Sequence, residues 1–161
     1  MSINPGLFSS NTSEWETPWK IFREACGELR PTLDVCATPT NTKCEEYLVS
    51  SGLEVNWSEL ADICWMNPPY GREIGHWVRK AAEQSALGVT AICLLPSRTD
   101  TRWWHKYVEP VRLGREPGSV RFLPGRIKFG GAKNSAPFPS VVVIFGPTCR
   151  EPAEEKAQSA A

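Results

Sequence analysis

Apolar residues follow two different spacings along the chain, and together these spacings predict alternating strands and helices. Four apolar runs predict strands, at 32–37, 63–66, 89–95 and 140–145. The third run is predominantly apolar and partly β-branched, which is typical of a central parallel strand covered on both faces. Residues 120–129 predict a further strand or a hairpin.

Apolar residues at helical spacing lie between these strands. The stripe of Ile74, Trp77, Val78 and Ala81 predicts an amphipathic helix over 71–87. Three more helices are predicted, from Pro18 (with Thr17 as the N-cap) to about Leu29, over Asn41–Ser51 ended by Gly52, and over Thr101–Val108.

The order of these elements predicts an α/β fold. Strands that alternate with helices form βαβ units and a mostly parallel sheet, and the last two strands complete a mixed sheet as a C-terminal antiparallel hairpin. We expect a flexible lead-in at 1–13, one domain at 14–146 and a disordered tail at 147–161.

Composition narrows the class of protein. The 161 residues are 41% hydrophobic and 22% charged, which argues against a disordered chain. No apolar run is long enough to span a bilayer, and residues 1–10 lack the basic cluster and apolar stretch of a signal peptide. We therefore expect a cytoplasmic protein with no membrane partner.

The cysteines argue against both a disulfide framework and a metal site. There are six, scattered and without a C-x-x-C pair, and Cys64 and Cys93 lie inside apolar runs where a free thiol acts as a small hydrophobe. With only two histidines, His76 and His105, no metal is predicted. We expect reduced thiols.

Charge is distributed unevenly although the total is zero. Residues 98–133 hold nine basic and three acidic side chains, whereas residues 1–97 hold seven basic and twelve acidic. A concentrated basic stretch favours a nucleic-acid partner, because phosphate attraction depends on where the charge lies. Solvated loops with chance clustering are the alternative.

The segment Asn67-Pro68-Pro69-Tyr70 follows a predicted strand directly. Pro-Pro holds a rigid extended turn, which places the Asn67 side-chain carbonyl and the Pro68 backbone carbonyl as two neighbouring acceptors. Two acceptors at one point suit an exocyclic NH₂ group, and Tyr70 offers a ring on which a planar base can stack. The alternative is a turn that only terminates the strand.

N-P-P-Y resembles the catalytic motif of class I S-adenosylmethionine-dependent methyltransferases that modify amino nitrogens. The wider pattern resembles the phage-encoded DNA N6-adenine methyltransferase (Dam-type) family. The matching segments are W-x-T-P at 15–18, L-D-V-C-A at 33–37, N-x-K-C at 41–44, W-M-N-P-P-Y-G at 65–71, L-P-S-R-T-D-T-R-W-W-H at 95–105, F-L-P-G-R-I-K-F at 122–129 and A-P-F-P-S at 136–140. They extend over nearly the whole expected domain.

The resemblance implies an abbreviated Rossmann-like fold and direct methyl transfer to N6 of adenine in DNA. Asn67 and Pro68 would hydrogen-bond the amino group, and Pro69 would keep the turn rigid. The adenine would be flipped out of the duplex and stacked on Tyr70. No cysteine need act as a nucleophile. The resemblance also implies a phage or prophage gene whose product acts in the bacterial host cell.

For the cofactor, the family pattern indicates the loop of Trp15, Thr17 and Pro18 and the end of the first strand. The further candidates are Asp34, Cys36, Ala37 and Asn41. Cys36-Ala37-Thr38-Pro39 replaces the glycine-rich turn found in many methyltransferases. Since Asn67 follows Asp34 by only 33 positions, the sheet must be abbreviated, and the positions that hold the cofactor ribose and adenine stay open.

The basic stretch gains a role from the resemblance. Cations beside aromatic rings suit phosphate contact and base stacking. The DNA-binding candidates are Arg98, Arg102, Trp103, Arg126 and Lys128. Sequence preference would come from short loops or from a second subunit, so a homodimer stays open.

Two other functions keep the same motif. The N-P-P-Y enzymes also methylate RNA adenines and protein glutamine amides, and a catalytically silent DNA- or cofactor-binding phage module is the alternative outside the enzymes. An unrelated α/β hydrolase or redox enzyme has no nucleophile elbow, triad order or dinucleotide fingerprint in its favour.

Overall fold

One six-stranded sheet organises residues 15–148, which is the part of the chain that the computed structural model describes. Its strands are β1 (Leu33–Asp34), β2 (Glu46–Tyr47), β3 (Ile63–Met66), β4 (Thr90–Pro96), β5 (Gly118–Phe122) and β6 (Ser140–Phe145). Their order across the sheet is β2-β1-β3-β4-β6-β5, with β2, β1, β3 and β4 parallel. Strand β6 is antiparallel to both of its neighbours. The predicted mixed sheet is confirmed.

Helices cover both faces of this sheet. They are α1 (Trp19–Cys26), α2 (Ile74–Ala86), a π-helical turn (Trp104–Val108) and α3 (Glu109–Arg112), which continues that turn. Ile144 shares a cleft with residues of α1, whereas Phe145 shares one with residues of α2 and α3. Because neighbouring residues of a strand point to opposite faces, α1 lies on one face and α2 and α3 lie on the other.

The core lies along the two central strands. Every residue of β4 and of β6 is buried, which confirms 89–95 as a central strand and 140–145 as a strand with the predicted bounds. The indole rings of Trp57, Trp65 and Trp104 are almost fully enclosed. Burial of this much apolar surface is the main stabilising contribution to such a fold.

The predicted helix over Asn41–Ser51 is wrong. Residues 38–42 form a turn in which the Thr38 amide donates to the Asn41 side-chain oxygen at 2.7 Å, and the chain then adds β2 to the sheet edge. The backbone of Leu48 bonds to both Asp34 and Ala37. The spacing of apolar residues could not predict that β1 and the residues after it would satisfy the backbone N–H and C=O groups of this segment.

Gly52 has a packing role and does not end a helix. A Cβ atom at this position would lie 2.1 Å from the carbonyl oxygen of Val35 and 2.7 Å from the Trp77 ring. The close approach of backbone and indole therefore requires glycine.

Other element boundaries also differ from the prediction. Helix α1 begins at Trp19 and ends at Cys26, with no side-chain cap, so Thr17 is not an N-cap. The predicted strand 120–129 is replaced by β5, which begins at Gly118, and by an isolated bridge between Glu16 and Gly130. The predicted helix 101–108 extends through α3 to Arg112.

Both chain ends lie beyond the described residues. The predicted lead-in at 1–13 and most of the predicted tail at 147–161 fall there, so the domain boundaries stay predictions. Within residues 15–148, no helix has the combined length and apolarity that crossing a membrane requires.

Candidate active site

Asn67-Pro68-Pro69-Tyr70 follows β3 at the carboxyl end of the parallel strands, where open α/β sheets bind their ligands. Proline has no N–H to donate, so the two prolines end the ladder and lead the chain out of the sheet before α2. Pro68 is buried, and Asn67 and Pro69 are half-buried.

The Asn67 side chain is held in one orientation. Its Nδ2 group donates to the Trp15 carbonyl oxygen at 2.8 Å and to the Thr17 hydroxyl oxygen at 2.9 Å. Both amide hydrogens are thereby used, which leaves Oδ1 as the acceptor of the site. An amide oxygen fixed in this way can accept a hydrogen bond from an amino group of a ligand.

Tyr70 completes the contacts of this amide. Its hydroxyl lies 2.7 Å from Asn67 Oδ1 and 3.0 Å from the Leu94 carbonyl oxygen, and with a single proton it can donate fully to only one of them. Burial raises the pKa of Tyr70 well above its ordinary value, against the opposing effect of the nearby Arg98 charge. The phenol therefore stays protonated.

Aromatic rings enclose Tyr70, which is 7% exposed. The rings of Trp15, Phe129 and Phe138 meet it at 66°, 78° and 77°, and Trp15 stacks on Phe138 with centroids 5.0 Å apart. Phe129 and Phe138 were not singled out as site residues from the sequence, although both lie within motifs of the family pattern. The face predicted to stack a base is not an open surface in this conformation, so base stacking on Tyr70 stays a prediction.

Most of the predicted cofactor residues line a single cleft. It is lined by Trp15, Thr17, Asp34, Cys36, Ala37 and Asn41 together with Asn67, Pro68 and Pro69. Pro18 is absent from this lining and precedes α1 instead. The cleft is also lined by residues that were not predicted as site residues, namely Glu16, Thr38, Lys43, Val49, Trp65 and Trp77. Glu16, Lys43 and Trp65 lie inside quoted motifs of the family pattern, which is the signal that could have found them.

Asp34 is the buried carboxylate of this cleft. It accepts hydrogen bonds from the backbone amides of Cys36 at 3.3 Å and Lys43 at 3.0 Å. Burial raises the pKa of Asp34 to about 6, although both hydrogen bonds and the Lys43 charge lower it. The group is thus largely ionised at neutral pH and poised to titrate just below it.

The thiol of Cys36 lies beside this carboxylate. Burial, reinforced by the Asp34 charge, raises the pKa of Cys36 to about 12. A thiol with that pKa stays protonated near neutral pH and is a poor nucleophile. Sequence reasoning likewise assigned no cysteine a nucleophilic role.

The predicted DNA-binding cations lie outside the cleft, with Arg98, Arg126 and Lys128 on loops and Arg102 at the start of the helical segment that contains the π-helical turn. Arg102, Arg126 and Lys128 are exposed and Arg98 is half-exposed, close enough to Tyr70 to affect its pKa. Within residues 15–148 none of these four has a carboxylate partner, whereas Arg79 and Arg112 are each ion-paired on their own helices.

The two neighbouring tryptophans differ in their surroundings. Trp103 is half-buried against Gly75, at the start of α2. Trp104 is enclosed in the core, where its Nε1 donates to Glu109 at 3.1 Å. Of the pair, only Trp103 retains exposed surface near the basic loops.

Residues 7–157 match the family model described as DNA N-6-adenine-methyltransferase (Dam). The chain is also similar to a DNA N-6-adenine-methyltransferase of Haemophilus phage HP1 (strain HP1c1), with 33% identity over 156 residues that cover 88% of this chain and 86% of the phage protein. A type IIL restriction-modification enzyme, MmeI, solved in complex with DNA, is a more distant match, with 13% identity and a TM-score of 0.42. That match covers 66% of this chain and 19% of the MmeI chain.

Proposed function

The chain belongs to the DNA N-6-adenine-methyltransferase (Dam) family, and we propose that it transfers a methyl group from S-adenosylmethionine to the N6 amino nitrogen of adenine in DNA. The observation that carries this proposal is the orientation of the Asn67 amide. Trp15 and Thr17 use both of its hydrogens, so its oxygen, which already accepts from Tyr70, keeps a second lone pair with which it can accept from a ligand amino group.

The Asn67 side-chain oxygen and the Pro68 backbone oxygen accept the two hydrogens of the adenine amino group. These bonds draw the nitrogen lone pair out of conjugation with the ring and aim it at the methyl donor. The bound methyl donor would supply its methyl group to this nitrogen and leave as the neutral thioether, and the amino group would release its proton to water. Positioning and electrostatics are the contribution of the protein.

The lining of the cleft fits the methyl donor. When bound, S-adenosylmethionine supplies a methyl group activated by a sulfonium sulfur. Asp34 is an ionisable carboxylate that can hold hydroxyl or amino groups, and Val49 and Trp77 add apolar surface. The protonated Cys36 thiol suits a direct transfer without a covalent enzyme intermediate. Besides Asp34, the candidates to hold the cofactor are Trp15, Thr17, Ala37 and Asn41. Pro18 shapes their loop from outside the cleft.

The substrate base must leave the duplex to reach this site. Asn67 is half-buried and hydrogen-bonded to the buried Tyr70, a position that a stacked and paired base cannot approach. Arg98, Arg102, Arg126 and Lys128 contact phosphates around the flipped nucleotide, with Trp103 beside them. Their lack of carboxylate partners within residues 15–148 favours a nucleic acid over a protein glutamine.

A labelled-methyl assay tests the proposal. Purified protein is incubated with methyl-labelled S-adenosylmethionine and, in parallel, double-stranded DNA, single-stranded DNA, RNA or protein, and digested products are analysed as nucleosides or amino acids. Label in N6-methyladenine from DNA supports the proposal. Label only in RNA or glutamine moves the substrate to another amino group, and cofactor binding with no label anywhere favours the silent binding module.

The variant Asn67→Ala tests whether methyl transfer depends on the Asn67 side chain. It should reduce transfer by at least about 100-fold, because the positioned acceptor is lost, while cofactor binding persists. Asn56→Ala is the control, since Asn56 is exposed and, among the described residues, its side chain accepts one hydrogen bond, from Gln84. Full activity in Asn67→Ala would remove Asn67 from the mechanism.

We expect the enzyme to act in the cytoplasm of a bacterial host, as a phage or prophage product. The phage origin of the HP1 relative supports this expectation.

A further inference from the structure

A buried lysine lies behind the loop that orients Asn67. The Lys43 side chain is 2% exposed, and its Nζ group donates to Glu16 Oε1 at 3.1 Å. The same ammonium lies 4.3 Å from the centre of the Trp19 ring. An ammonium this deeply buried loses most of its hydration, so it needs partners of this kind.

Glu16 is the middle residue of the tripeptide that holds Asn67. The residues on either side of it, Trp15 and Thr17, provide the two acceptors for the Asn67 amide. A shift of this tripeptide would therefore move both acceptors together.

Lys43 joins this tripeptide to the sheet. Its backbone amide donates to Asp34 at the end of β1, while its side chain reaches Glu16 in the loop and the Trp19 ring at the start of α1. The backbone oxygen of Glu16 bonds instead to the amide of Gly130, in the outer segment that follows β5. The ion pair is thus a side-chain connection between the loop and the segment bound to β1, in addition to the Thr17–Asn67 contact at the end of β3.

On the basis of the proposed function, we infer that Lys43 is a positioning residue for methyl transfer, which acts through Glu16 to fix the tripeptide that orients the Asn67 amide. Lys43 does not touch the reacting atoms. Its loss should lower the rate of the chemical step, because misplacement of the Asn67 acceptor by about 1 Å can slow transfer by about 100-fold.

Lys43→Met tests this role. The substitution keeps the apolar stem and the backbone bond to Asp34 but removes the ammonium group. At pH 8, where Asp34 stays ionised without the Lys43 charge, we expect kcat to fall by about 10-fold or more, with the KM for S-adenosylmethionine changed by less than about three-fold. Lys20→Met is the matched control, because Lys20 is 81% exposed and, within residues 15–148, its one ion pair is with Glu24 on its own helix. It should keep the wild-type kcat.

A double-mutant cycle separates positioning from general stability. If Lys43 acts through the Asn67 clamp, its substitution should cost less in a Thr17→Val background, where one acceptor of the clamp is already missing. Multiplicative losses in the double variant, or a kcat loss that only follows the fraction of folded protein, would overturn the inference.

A spectroscopic measurement tests the same role without activity. The Asn67 side-chain NH₂ signals, identified by their absence in Asn67→Ala, should shift in Lys43→Met and stay in place in Lys20→Met. Unmoved Asn67 signals would refute the positioning role. A shift with no methyl transfer to DNA by the wild type would support the positioning role while rejecting the proposed function.

Glu16→Gln provides a second variant if Lys43→Met fails to fold. The Glu16 side chain is 41% exposed, so an amide there should be tolerated, and it weakens the ion pair to a neutral hydrogen bond. We expect kcat to fall by about three-fold or more, together with a shift of the Asn67 signals. Wild-type kcat and unmoved signals in this variant would equally overturn the inference.

Discussion

The Asn67 amide donates to the hydroxyl oxygen of Thr17 at 2.9 Å, a contact between residues 50 positions apart. Thr17 is itself almost completely buried. The local sequence had suggested that this hydroxyl caps a helix. It instead accepts a hydrogen bond from Asn67 and so links the N-terminal loop to the end of β3.

Thr17→Val should slow methyl transfer more than it affects folding. Valine keeps the shape but leaves one Asn67 hydrogen without its acceptor, at a cost of about 1–3 kcal/mol in stability. We expect kcat to fall by about 10-fold, since the amide can then rotate. Kinetics and chemical denaturation measure the two effects. Thr17→Ser should recover most of the activity, and a serine variant as slow as valine would show that the methyl group matters instead.

Asn67→Asp should be poorly tolerated despite its similar size. One carboxylate oxygen would take the place of Nδ2, 2.8 Å from the Trp15 carbonyl oxygen, so two acceptors would face each other with no hydrogen between them. We expect a loss of at least about 1 kcal/mol in unfolding free energy, which thermal denaturation would detect, together with reduced transfer. Wild-type stability and activity in this variant would contradict the orientation assigned to the amide.

Cofactor affinity should depend on pH through Asp34. Because its pKa is raised to about 6, Asp34 gains a proton as pH falls below that value and loses the charge proposed to hold cofactor groups. We expect the Kd for S-adenosylmethionine to rise by up to about 10-fold per pH unit below pH 6, as measured by calorimetry between pH 5 and 8. Asp34→Asn should bind more weakly and lose this dependence.

Unfolding would not explain that loss of affinity. The pKa of Asp34 is higher in the folded protein than its ordinary value of 3.8, so the folded form takes up the proton first. Through this group, stability is greater below about pH 4 and decreases as pH rises toward 6. Acidification therefore favours folding at Asp34 while it weakens cofactor binding. A pH-independent Kd would remove Asp34 from the cofactor site.

Arg126 and Lys128 should contribute to the salt dependence of DNA binding. Replacing both with glutamine should reduce the slope of log K against log salt concentration by up to about 1.8, if each contacts one phosphate. Arg79→Gln is the control, because this exposed arginine is already paired with Glu83. Filter binding or fluorescence anisotropy across a salt series measures the slopes. An unchanged slope in the double variant would place the DNA elsewhere.

The local sequence pattern predicted the strands and the turn whose structure depends on residues close together along the chain. The buried strands at 89–95 and 140–145 follow from continuous apolar runs, and the turn at Asn67–Tyr70 follows from two consecutive prolines that cannot join a ladder. The family pattern brought Asp34 and Asn41 together with Asn67, and both line the cleft. The helix expected over Asn41–Ser51 failed because pairing with β1 overrode apolar spacing.

By itself, the sequence determined the class of fold, the order of the main strands along the chain and the motif proposed to carry the chemistry, because burial and backbone stereochemistry are encoded locally. Only the tertiary structure decided that Thr17 orients Asn67, that Lys43 lies behind Glu16 and that aromatic rings enclose Tyr70. These contacts join residues far apart along the chain, and their geometry depends on how strands and loops pack, which residue spacing does not specify.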